Sequence, residues 1–119
     1  MKTKILLFAI LALLIAAPCW ALESYSTSSG LLASSGVVGT SGASYALTSA
    51  EIITDGTNSV TATVYNGASA GGVAVAQFVC PGASYFCGVT FEIPVACPSG
   101  IYLAISGTNG KAIIGSQPR

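Results

Sequence analysis

The chain contains no histidine, and only eight of its 119 residues are charged: four Lys or Arg against four Asp or Glu. Without histidine, Ser-His-Asp and Cys-His nucleophile arrangements are excluded, and so are the imidazole ligands common at zinc centres. A formal charge of zero provides no basic field to hold nucleic acid or an anionic membrane surface. After residue 21 no stretch combines helical periodicity with helix caps. The glycines fall in turns rather than between a strand and a helix, so they form no phosphate-binding fingerprint.

The carboxylates are equally sparse. A glycoside-hydrolysing pair would need two of Glu23, Glu51, Asp55 and Glu92 about 5–10 Å apart. Asp55 stands in an Asp-Gly turn, where it caps its own backbone, and Glu51 and Glu92 stand in strands whose solvent face needs charge. Calcium at the Asp55–Asn58 turn would have one carboxylate, thin for a hard cation. No catalytic residue, metal or cofactor is expected, and the chain reads as non-enzymatic.

What is present begins with a leader. Lys2 and Lys4 precede an uninterrupted apolar run of 13 residues from Ile5 to Ala17. Pro18 breaks it, and Cys19-Trp20-Ala21 supplies a cleavage site after Ala21. This is the layout of a secretory signal peptide over residues 1–21. As a helix the run would span roughly 20 Å, short of the ~30 Å hydrocarbon core. Lipidation at Cys19 would tether the chain to a membrane, but Pro18 occupies the place where a lipobox has a small residue. Absent that lipid, no membrane partner is expected after cleavage, and the location is secreted, extracellular or at the cell surface.

Residues 22–44 are dominated by Ser, Gly and Thr. They read as a flexible arm, or, through Leu31-Leu32 and Val37-Val38, as a strand donated to the domain or to a neighbouring subunit. Residues 45–119 read as short strands cut by turn signals. Tyr45 to Thr54 comes first, with Ile52 inward, Glu51 outward, and Leu47 and Ile53 in need of cover. Asp55-Gly56 turns into Val60, Ala62 and Val64, which alternate with Thr61, Thr63 and Tyr65. Val73 to Cys80 is apolar on both faces apart from Gln77, as in a central or doubly covered strand. Val89, Phe91 and Ile93 give the cleanest alternation and are the expected core of the next strand, which ends at Pro94 or lies at an edge. Ile101, Leu103 and Ile105 face inward. Lys111 to Ile114 forms the last strand, and Gly115 to Arg119 a polar tail. Six or so strands at roughly this spacing predict an all-β antiparallel sandwich, jelly-roll or Greek-key-like.

Cys80, Cys87 and Cys97 follow the leader, and export favours a disulfide. Cys80 and Cys87 bracket a turn whose closure would contribute about 2–3 kcal/mol. Cys80–Cys97 and Cys87–Cys97 also remain open. Any pairing leaves one thiol, either buried or free to link subunits. Their spacings do not match zinc motifs. Tyr65, Tyr85, Phe86 and Tyr102 are candidates for a binding platform for sugar or protein, against the alternative of packing on neighbouring strands.

Asp55-Gly56-Thr57-Asn58, the strand ending Val64-Tyr65-Asn66, the Gly67–Gly72 turn, Gly88-Val89-Thr90-Phe91, Gly100-Ile101-Tyr102 and Ser106-Gly107 together resemble small β-sandwich proteins encoded in tailed-phage and prophage genomes. The resemblance covers about residues 46–114 and implies a sandwich with a virion-decoration role. It carries no catalytic residues. The leader and the cysteines set this chain apart from that pattern. Three roles follow as expectations: a secreted structural protein that assembles with itself or a larger surface assembly, a virion decoration protein, or a carbohydrate-binding module.

Overall fold

A computed structural model describes residues 26–119. The leader, Cys19 and Glu23 lie outside the described residues. The rest forms eight strands: β1 (Thr27–Ser28), β2 (Gly36–Val38), β3 (Tyr45–Ile53), β4 (Val60–Asn66), β5 (Val73–Cys80), β6 (Phe86–Cys97), β7 (Ile101–Ser106) and β8 (Lys111–Pro118).

The strands pair as a long hairpin would. β4 pairs with β5, β3 with β6, β2 with β7 and β1 with β8, all antiparallel. Rolling that hairpin adds the β3–β8 and β4–β7 ladders. The result is two four-stranded sheets, β1-β8-β3-β6 and β2-β7-β4-β5. This is the wiring of an eight-stranded jelly roll, as the strand spacing predicts.

Between the sheets lies one core. Leu47, Ala50, Ile52, Ala112 and Ile114 from the first sheet meet Val60, Ala62, Val64, Ile101 and Leu103 from the second. Each large aliphatic side chain buried here contributes about 1.5–3 kcal/mol. The alternation of β4 and the inward face of β7 follow the sequence pattern. In β3 strict alternation would place Leu47 and Ile52 on opposite faces, yet both are fully buried. A bulge resolves this. Leu47 opposes Ser116 and Ser49 opposes Gly115, so Thr48 is an extra residue on β3. Its hydroxyl and that of Ser49 both crowd over Gly115, where a Cβ would clash with each of them.

Three expectations need correction. β5 is neither central nor doubly covered: it is an edge, and Val73 and Val79 are 70% and 62% exposed. Of the expected β6 core, Val89 opposes buried Ala50 but stays partly exposed, Phe91 is half-buried against Phe78 with ring centroids 6.0 Å apart, and Ile93 is 84% exposed. The reason is local. Thr90 opposes Ser49 and Val95 opposes Leu47, so Phe91-Glu92-Ile93-Pro94 stands opposite Thr48 alone and bows out of the ladder. Pro94, which has no N–H to donate, sits within that unpaired excursion. Finally, the last strand runs on to Pro118, through what composition suggests is a polar tail.

Residues 26–38 lie along the sandwich. β1 covers one end of β8. Ser29 N donates to Ile114 O (2.8 Å), and Ser29 Oγ accepts from Ile114 N (2.9 Å). Leu32 and Ala112 exchange both backbone bonds. Ser35 Oγ accepts from Ile105 N (2.9 Å) before β2 takes up the β7 ladder. Serine hydroxyls thus satisfy backbone donors where the strand pairing breaks. Val38 is buried and Leu32 packs beside the core.

Candidate assembly surface

The jelly roll has two flanks, and they are built differently. One is closed by β1 and β2, strands of two and three residues. The other is formed by β5 and β6, strands of eight and twelve residues, with no strand beyond them among the described residues. Short edges are a common protection against unwanted pairing, whereas a long apolar edge invites a partner. On this second flank Val73, Val79, Phe86, Val89 and Ile93 are all exposed. Inside its lip, Ala50, Phe78, Val79, Cys87, Gly88 and Val89 line a cleft of about 210 Å³.

The flank is held at one end by a disulfide between Cys80 and Cys87, the last residue of β5 and the second of β6. Of the three pairings open in the sequence, this one joins the two sheets across the turn. Cys97 is a free thiol, fully buried at the far end of β6 and paired in register with Tyr45. Burial pushes its pKa up, so neither access nor ionisation favours a link between folded subunits.

The four candidate aromatics are divided. Tyr65 and Tyr102 are cross-strand neighbours on β4 and β7, half-buried, with ring centroids 6.4 Å apart. Tyr85 and Phe86 lie at the opposite end, where Phe86 opposes Ile53 and the Tyr85 ring covers Gly56. Gly56 has φ +80° and a Cβ there would lie 2.5 Å from that ring, so only glycine suits both the turn and the contact.

The same end holds a cluster that composition does not reveal. Asp55 Oδ1 accepts from Thr57 N (2.9 Å) and Asn58 N (2.8 Å); its Oδ2 accepts from Asn58 Nδ2 (2.8 Å) and Asn109 Nδ2 (3.3 Å). Donation from Asn58, then from Thr57, holds this carboxyl well below the usual range. Asn109 itself adopts φ +56°, a left-handed conformation that Asn tolerates. Thr54, buried, donates its hydroxyl to Ser84 O, while Thr54 N donates to Tyr85 O (3.0 Å). These bonds tie the β3–β4, β5–β6 and β7–β8 turns together. A Thr before Asp-Gly and an Asn in Asn109-Gly110 are the only sequence signals for it.

Because the folded pKa of Asp55 is depressed, its contribution is complete above the unfolded value of about 3.9 and fades as pH falls through that value toward the folded one. Thermal stability should therefore decline on acidification below about pH 4, and Asp55→Asn should remove part of that decline while keeping the backbone acceptor. Melting temperatures of the two proteins at neutral and acid pH check this; parallel acid profiles would refute it.

Beside the cluster, Ala33, Ser34, Ile53, Ile105 and Lys111 border an open cavity of about 570 Å³. Among the described residues no group of three His, Cys, Asp or Glu is placed to hold a metal.

Neither a family model nor a curated protein matches the chain. Among solved structures, the chain is similar to one from work describing Bacillus endospore appendages as a novel family of disulfide-linked pili, at 17% identity over 81% of this chain and 85% of that one, with a TM-score of 0.38. A likeness at that level assigns neither a site nor a role.

Proposed function

We propose that this chain is a secreted, non-catalytic structural subunit that associates with copies of itself through the open β5–β6 flank. The carrying observation is the asymmetry of the flanks: one is closed by short strands of the N-terminal segment, and the other leaves two long apolar edges unpaired. A contiguous exposed apolar surface on a small domain marks an interaction site, and strand edges offer backbone hydrogen bonds to extend it. Low charge suits close approach of like subunits, since little repulsion opposes it. The leader sequence and the stapling disulfide support an extracellular setting.

Light scattering of the mature protein after size separation tests this. The native sequence should form species well above the monomer mass, growing with concentration. Val73→Lys with Val79→Lys, which charges the β5 edge at two exposed positions, should shift it to monomer without loss of fold. A native protein that stays monomeric at every accessible concentration would sink the reading.

A further inference from the structure

Resting on that reading, we infer how one copy engages the next: the Glu92–Ile93 excursion of β6 inserts into the cavity bordered by Ile53, Ile105 and Lys111 on the neighbouring copy. The excursion is a protrusion, with four residues standing opposite Thr48 alone. At its crest Ile93 is 84% exposed, an unusual place for a large aliphatic side chain, and Glu92 beside it is also exposed. The cavity, about 570 Å³, has the complementary character: an aliphatic floor of Ala33, Ile53 and Ile105 with Lys111 at its rim.

The charges agree with this assignment. The side chains of Glu92 and Lys111 each make no hydrogen bond or ion pair among the described residues, although the Lys111 backbone pairs with Ile53. Asp55 also borders the cavity, but its two oxygens already accept four N–H bonds from Thr57, Asn58 and Asn109. The group left to be satisfied there is the Lys111 ammonium, and the entering group that satisfies it is a carboxylate. Glu92 brings one adjacent to the apolar side chain that the floor accepts.

Position decides the symmetry. The excursion lies on the β6 flank beside the Leu47–Ser49 bulge. The cavity lies at the other end of β3, about 20 Å away along the strand, on the side of β7, β8 and the N-terminal segment. Protrusion and cavity are separate surfaces on opposite flanks of one molecule, so the contact is heterologous. Such a contact propagates into an open assembly unless its rotation closes a ring.

Charge reversal tests this. Glu92→Lys alone places lysine against lysine, and Lys111→Glu alone places glutamate against glutamate. Each should weaken association by roughly tenfold or more, because like charges now meet in the contact. Both residues are exposed, so melting temperature should hold and serves as the folding control. Mixing the two variants, or combining both changes in one chain, should restore assembly, since every contact again pairs opposite signs. Assembly that ignores both single reversals, or a mixture no larger than its parts, would overturn the contact while leaving self-association standing. A monomeric native protein would instead remove the underlying reading.

Discussion

Leu47→Ala should lower the unfolding free energy by about 2–5 kcal/mol, whereas Ile93→Ala in the monomer should change it by less than about 0.5 kcal/mol. Leu47 is fully buried, and the cavity left by truncation is walled by other core residues from both sheets. Ile93 is 84% exposed and its removal uncovers little. A small domain has of order 5 kcal/mol to lose, so the first variant should be partly unfolded at moderate temperature. Urea titration at concentrations that keep the protein monomeric checks both. Equal losses would mean that the β6 excursion packs inward and that the bulge in β3 is misplaced.

That contrast inverts the ranking that periodicity alone supports, and the reason is physical. Alternation reports which way a side chain points while the strand stays in register. It located Val60, Ala62, Val64, Ile101 and Leu103 correctly because β4 and β7 are interior strands with a regular ladder between them. It misplaced Leu47 relative to Ile52 because a one-residue bulge reverses the phase, and Thr48 bears no mark that distinguishes it from its neighbours. It overrated Val73–Cys80 because an edge strand and a central strand can share a composition, and only the sheet order separates them; it overrated Ile93 because β6 bows out of its ladder opposite Thr48.

The candidate surface was legible in pieces. The Cys80–Cys87 staple was among three pairings that spacing left open. The Asp55 turn was visible from Asp-Gly, but its link to Asn109 crosses 54 residues of sequence. The cavity draws Ala33, Ile53, Ile105 and Lys111 from four separate segments, a juxtaposition that exists only once the hairpin is rolled. The N-terminal segment reads in sequence either as a flexible arm or as a donated strand, and composition does not choose between them; nor does it show that Ser29 and Ser35 supply acceptors to β8 and β7 where strand pairing fails.

Beginning the chain at Gly39 should therefore abolish cooperative folding rather than merely loosen an arm. The truncation removes Val38 from the core, worth about 1.5–3 kcal/mol. Besides the β1–β8 and β2–β7 ladders, it strips β8 and β7 of at least five further bonds: Ser29 N to Ile114 O, Ile114 N to Ser29 Oγ, the two between Leu32 and Ala112, and Ile105 N to Ser35 Oγ. At about 1 kcal/mol net for each bond, the combined loss reaches roughly 6–8 kcal/mol, comparable to the whole stability of a domain this size. The exposed β7 and β8 edges would then be open to aggregation. A synthetic peptide of residues 26–38 added in trans should restore a cooperative thermal transition, because the groove it leaves is specified by the Val38 and Leu32 contacts and by the register of β7 and β8. A truncated protein that melts within a few degrees of the full chain would show that the segment contributes little, and the asymmetry of the two flanks would lose its physical basis.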